Sequence, residues 1–238
     1  MSDPSAYLVA PSAPDESVSN GFANPLDLFN YVSPSAWINA GIERLLHFDV
    51  FGYLTDAITG EWDAIWKFGD ALGNLADCLQ DLGINIQHGA IDMAGSWEGN
   101  AADAAYQYFS EFAAAVSGQQ LDLRDLQENY HKAALGAWQL SNQLGNILQA
   151  IADKWIIAGI AFAAGTATAE TGVGLVGYGV AGLQAVEMLR LVNQASTKIN
   201  TYGSIVAGLF GTGMDVGFKG GDLSTVELPA TSYTSPGA

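Results

Sequence analysis

From Trp62 onward, apolar residues recur at Ile65, Phe68, Leu72, Leu75, Leu79, Leu82, Ile86, Ala90 and Met93. The steps are threes and fours, which places these positions on one face of an α-helix. Gly69, Gly73, Gly83 and Gly89 lie among them and lower the intrinsic helix propensity, so this helix depends on packing. A second stripe of the same period runs through Ala105, Phe109, Phe112, Val116, Gln119, Leu123, Leu126, Tyr130, Ala133, Ala137, Leu140, Leu144, Ile147 and Ile151. Between the stripes lies Trp97-Glu98-Gly99. The glycine supplies backbone freedom for a tight reversal, and the tryptophan supplies a large apolar face to pin the turn onto a packed partner. Two amphipathic stripes joined by a short turn predict an antiparallel helical hairpin. Its expected packing interface is Leu72, Leu75, Leu79 and Leu82 with Phe109, Phe112, Leu126, Leu140 and Leu144. The second helix would be roughly 80 Å long if unbroken, and Ser117-Gly118 is the expected place for a bend.

Proline marks the limits of the helical body. Pro4, Pro11, Pro14, Pro25 and Pro34 crowd the first segment, Pro229 and Pro236 lie in the last, and none occurs between Ser35 and Leu228. The expected organisation is a flexible N-terminal arm over 1–34, a short helix and linker over 35–60, and the hairpin over 61–154. A glycine-rich apolar hairpin with a last helix follows over 155–210, then a flexible tail over 211–238. The short helix would span Ser35 to His47 and present Trp37, Ile38, Ile42, Leu45 and Leu46 on one face. The fold class is all-α: an elongated antiparallel helical bundle extended by the apolar hairpin and a further helix.

Composition changes sharply at Trp155. Trp155 to Ala169 and Val173 to Val186 carry no charged residue. Each half is about 15 residues, short of the ~20 that span a bilayer as one helix. Together they predict a hydrophobic hairpin with Glu170 at its tip. Gly159, Gly165, Gly174 and Gly182 recur among alanines and permit close helix approach. Two readings stand side by side. One is burial inside the protein's own bundle or at a partner interface. The other is a membrane-inserting or oligomerising hairpin built on Trp155, Gly159, Gly165, Glu170, Gly174 and Gly182.

Charge and candidate chemistry narrow the function classes. The 25 acidic residues against 8 basic ones give a formal net charge of -17. That surface repels nucleic acid and anionic lipid, so no nucleic-acid partner is expected. The single cysteine, Cys78, permits no intramolecular disulfide and reads as a small residue near a helix interface. His47, His88 and His131 are far apart, without the spacing of a metal site. Two overlapping runs, Gly172 to Gly177 and Gly177 to Gly182, match G-x-G-x-x-G. A dinucleotide site needs a strand before those glycines and a helix after them, and no strand–helix alternation exists here. Asp122, Asp125 and Glu128 beside Arg124 read as a solvated helix face. Nothing argues for an enzyme: no catalytic residue, cofactor or metal is assigned. Met1 to Asn20 has no Lys or Arg and no continuous apolar core, so it is not read as a signal peptide.

The helix, Trp97-Glu98-Gly99, helix arrangement resembles the WXG100 (ESAT-6-like) family of type VII (ESX) secretion substrates of actinobacteria and firmicutes. The likeness covers roughly Glu61 to Ile151 and includes Ser96 to Asp103 with the aromatic Tyr106. It implies a leaderless protein, cytoplasmic before export and then secreted or held in the cell envelope. It also implies a protein partner, either a second copy or a smaller WxG protein, together with the type VII secretion machinery. Two features depart from the family. No tyrosine of the nine has Asp or Glu four residues later, so the usual export signal is missing. The chain is more than twice the usual length, and in this it looks like the larger ESX secretion-associated proteins. The expected function is that of a non-enzymatic secretion substrate or secretion-associated protein working through helix–helix binding. The alternative is a membrane-active or pore-forming α-helical effector using residues 155–186.

Overall fold

A computed structural model describes residues 1–14, 22, 43, 49, 52–54, 61–168 and 173–220. The protein is all-α, with no strand among the described residues. Helix α1 spans Trp62–Ala94, α2 Asn100–Ala167 and α3 Val173–Gly220. A 3-10 turn, Pro4–Tyr7, precedes them, its first N–H groups capped by the Asp3 carboxylate 3.0 Å from the Ser5 amide. The short helix expected over Ser35 to His47 lies outside the described residues but for Glu43. Helix α2 runs without a break through Ser117-Gly118, where a bend was expected, and takes in Trp155–Ala167 as well. Helix α3 continues past the expected end near Leu209 to Gly220.

The chain divides into two compact units. One is Met1–Pro14, Asp63–Ala134 and Val206–Ala238; the other is Asp15–Trp62 and Leu135–Ile205. Helices α2 and α3 each supply both.

In the first unit α1 lies antiparallel to the first half of α2. Gln87 donates to Ser110 at 3.2 Å, Arg124 pairs with Asp77 at 2.5 Å, and Trp66 stacks on His131 at 3.9 Å. The partner numbers rise on α2 as they fall on α1. The buried line of α1 is Gly69, Gly73, Ala76, Gly83 and Ala90, and that of α2 includes Ala102, Ala105, Ala113, Ala133 and Ala134. A Cβ at Gly83 would stand 2.7 Å from the Ala113 carbonyl oxygen, so the backbones approach closely.

The expected leucine interface is therefore displaced. Leu75, Leu82 and Phe109 are exposed, while Leu72, Leu79, Phe112 and Leu126 are half-buried. The small residues form a second helical stripe one position on from the leucines. Placing that line at the contact lets the two axes close up, and it turns the large side chains to the flanks. On the other flank, Tyr130 makes edge contacts with Phe68 and with Phe210 of α3, each at 4.8 Å.

The first residues are not a free arm. Ser2 donates to Asp81 at 2.6 Å, Asn85 donates to the Ser2 carbonyl at 3.0 Å, and Asn74 donates to the Val9 carbonyl at 3.2 Å. The Ser12 amide donates to Asp70 at 2.6 Å. Asp70, Asn74, Asp81 and Asn85 share one polar face of α1, and their side chains serve the backbone of a segment with no helix ladder of its own. Asp81 is buried beneath it.

The second unit holds the larger apolar core. Leu140, Leu144, Ile147, Leu148 and Ile151 of α2 meet Met188 and Ala195 of α3, with Leu54 fully buried among them. Leu140 and Leu144, expected in the interface with the leucines of α1, are buried here instead, against α3. Lys198 donates to Gln143 at 2.5 Å, and a Cβ at Gly136 would stand 3.2 Å from the Tyr202 ring. These pairs set α3 antiparallel to α2.

Candidate functional site

The turn between α1 and α2 is built from the end of α1 outward. The amides of Gly95 and Trp97 donate to the carbonyls of Ile91 and Met93 at 3.1 and 3.0 Å, and the Ser96 hydroxyl also reaches the Met93 carbonyl at 3.1 Å. The carbonyls of Ile91 and Met93 near the end of α1 are thus satisfied. Gly99 then adopts φ +102°, a conformation that side chains with a Cβ rarely take. No atom lies within 4 Å of where its Cβ would be, so the glycine is required by the backbone and not by space. Its carbonyl accepts from the amides of Ala102 and Asp103 at 2.8 and 3.1 Å and starts α2. Asp103, in the first turn, complements the helix dipole.

Trp97 itself is 42% exposed. It does not pin the turn onto this chain, because the end of the hairpin is closed by small buried residues, Ala90 and Ala102. Other large apolar side chains of this unit face outward too. Phe68, Leu75 and Leu82 repeat every seventh position along α1, as do Ile84 and Ile91, and Tyr106, Phe109 and Leu121 stand exposed on α2. The result is an apolar surface along a hairpin whose own contact is made by alanine and glycine.

The second candidate region is the end of α2 and the start of α3. A Cβ at Gly165 would meet the Gly174 carbonyl oxygen at 3.1 Å, and one at Gly177 would meet the Ala161 carbonyl oxygen at 2.6 Å. Gly165 and Gly174 are therefore at the helix contact, as expected. Gly177 is the tightest glycine of the contact, although the small-residue spacing had not singled it out. Gly159 and Gly182 have open space at their Cβ positions and take no part. Trp155 is half-buried against the apolar core, and Glu170 lies outside the described residues. The outer faces are not covered within the unit: Ile160 is 67% exposed, Leu175 77% and Leu183 67%. The small residues of the two halves meet each other, Phe162 and Tyr178 make an edge contact at 5.5 Å, and Ile160, Leu175 and Leu183 stay exposed within the unit.

The described glycines of the G-x-G-x-x-G runs sit inside α3, with no strand before them. No group of three His, Cys, Asp or Glu side chains suited to a metal occurs among the described residues. His131 lies at the contact of α1 and α2 in the first unit. Its Nε2 is buried without a hydrogen-bond partner, and burial lowers its affinity for a proton while nearby Asp70 raises it. Packed flat on Trp66 and beside Gly69, it acts as an aromatic wedge between α1 and α2. No protein-family profile, curated protein or solved structure matches the chain.

Proposed function

We propose that the protein is a non-enzymatic helical secretion substrate or secretion-associated protein of the type VII kind, acting through a helix–helix partner. The observation that carries this is the turn and what surrounds it: a glycine at φ +102°, an exposed Trp97, and large apolar side chains left outside a hairpin closed by small residues. A buried indole would be a core residue. An exposed one on a hairpin that also turns Phe and Leu outward is a binding anchor.

The partner is a second hairpin whose apolar stripe covers Phe68, Leu75 and Leu82. With a net charge of -17, two copies of this chain repel each other, which favours a smaller and less acidic WxG partner over a homodimer. That partner also supplies the Tyr-x-x-x-Asp/Glu signal this chain lacks. Export then runs from the cytoplasm to the envelope or the medium through the type VII machinery.

The test is secretion from an actinobacterium carrying a type VII system, intact or deleted for its ATPase. The tagged full chain is expected in the medium of the intact strain only. Retention in both strains, or release independent of the ATPase, overturns the proposal.

A further inference from the structure

We propose that the tip of the α1–α2 hairpin, around Ile91, Trp97 and Tyr106, receives an arginine-bearing amphipathic segment of a protein partner. The surface lies wholly within the first unit. The proposal rests on the helix–helix partner proposed above and adds that partner's chemistry.

Large apolar side chains stand bare along one flank of the tip. Gln87 of α1 donates to Ser110 of α2 at 3.2 Å. One helical turn from each, toward the tip, come Ile91 and Tyr106, which this bond brings level on the same flank. Both are exposed, and so is Ile84, seven residues before Ile91 on α1. Trp97 is exposed in the turn beyond them. The helix contact here is made by the buried Ala90 and Ala102, so these large side chains are not spent on closing the hairpin.

The charge around them is of one sign. From Phe68 to Leu123 the chain has no Lys or Arg, and His88 is its one histidine. The cations of the hairpin stand at its other end and are already engaged: Lys67 with Asp63, Arg124 with Asp77 and Lys132 with Glu128. At the tip, Asp92, Glu98 and Asp103 are exposed, and among the described residues no Lys or Arg pairs with them. Glu98 follows Trp97 directly, and Asp103 lies one turn from Tyr106 on the same face of α2. The exposed rings are thus bordered by carboxylates that lack a counter-charge of their own.

This pairing of rings with unmatched carboxylates selects the occupant. A second copy brings the same carboxylates and is repelled, as are nucleic acid and anionic lipid. The carboxylates are too dispersed for a metal ion, since no group of three His, Cys, Asp or Glu suited to one occurs among the described residues. A neutral apolar helix would cover the rings but strip water from the carboxylates without replacing it by a charge. A segment that is both cationic and apolar satisfies the two together. Arginine does so at one point: its planar guanidinium stacks on an indole or phenol ring and donates two parallel N–H groups to a carboxylate. Apolar residues one turn away on the same segment then cover Ile84 and Ile91.

The experiment titrates two labelled helical peptides into the full chain, followed by fluorescence anisotropy. Both carry one leucine stripe; their remaining positions hold arginine in one and glutamate in the other. The arginine peptide is expected to bind and the glutamate peptide not. Raising sodium chloride from about 0.05 to about 0.5 M is expected to weaken binding roughly tenfold. The triple variant Asp92→Asn, Glu98→Gln, Asp103→Asn is expected to lose roughly tenfold or more. The triple variant Asp122→Asn, Asp125→Asn, Glu128→Gln makes the same change in net charge away from the tip and is expected to lose no more than about twofold. Circular dichroism checks that both variants keep the fold. Trp97→Ala is expected to weaken the arginine peptide more than a lysine version of it. Equal losses in the two triple variants, binding of the glutamate peptide, or no binding of the arginine peptide each overturns the proposal. ATPase-dependent release of a chain that takes up neither peptide sinks this proposal alone. Selective uptake of the arginine peptide by a chain released without the ATPase sinks only the secretion reading.

Discussion

Gly83→Ala adds one methyl group to the contact between α1 and α2. The new Cβ would lie 2.7 Å from the Ala113 carbonyl oxygen, 2.7 Å from the Ser117 Cβ and 3.0 Å from the Ser117 amide nitrogen. Ordinary contact begins near 3.4 Å, so the methyl group is about 0.7 Å too close, and the atoms it meets are backbone or first side-chain carbons that cannot rotate away. The helices must separate locally, at a cost of about 1–3 kcal/mol. Against this, alanine gains about 0.8–1.0 kcal/mol of helix propensity over glycine. Gly118→Ala on α2 is the matched control: its Cβ position is open, so it keeps the propensity gain and has no clash. The difference between the two variants isolates the clash and is expected to be about 1–3 kcal/mol, with Gly118→Ala the more stable. Urea unfolding followed at 222 nm measures it, with hydrogen exchange at α1 amides to assign the change to this unit. Equal stabilisation by both substitutions would refute the close-packed glycine line.

Trp97→Ala removes an exposed ring, so stability is expected to change by no more than about 0.5 kcal/mol, while affinity for a co-purified helical partner falls by about 2 kcal/mol or more; titration calorimetry beside thermal melts separates the two. Asp81→Ala deletes the carboxylate that holds Ser2, leaving its hydroxyl only the 3.5 Å contact with Asn85, and is expected to cost about 1 kcal/mol. Limited proteolysis should then cut the first residues early, and an unaltered cleavage pattern would mean the segment is held by something else. His131 has its proton affinity lowered chiefly by burial, so the unfolded chain binds its proton more readily than the folded one. Its contribution is therefore present above the ordinary histidine range and is lost as pH falls from about 6.5 through the lowered folded value. His131→Phe should keep the stack on Trp66 and flatten the pH dependence of unfolding in that window; an unchanged slope counts against the buried imidazole as its source.

The all-α class and the place of the turn were legible in the chain itself, whereas the merging of Trp155–Ala167 into α2 and of Val173–Val186 into α3 was not. Apolar periodicity near 3.6, a proline-free body and the Trp97-Glu98-Gly99 break are local signals, and α1 ends and α2 begins within a few residues of that break. The core stripe Leu140, Leu144, Ile147 and Ile151 was equally readable, because large residues there meet large residues. In the first unit the same period carried two neighbouring stripes, one of leucines and one of glycine and alanine. Periodicity does not rank them. Interhelical distance does: once the backbones approach at Gly69 and Gly83, small residues hold the contact and Leu75 and Leu82 are turned outward. Likewise, an uncharged run from Trp155 reads the same whether buried or bare. Only its neighbours in space decide, and here the small residues face each other while Ile160 and Leu175 face away. The hold of Asp70, Asn74, Asp81 and Asn85 on the first residues was also beyond sequence, because the partners are about 60 to 80 positions apart and nothing local couples them. The chain determined which segments are helical; tertiary packing determined which face of each helix is inside.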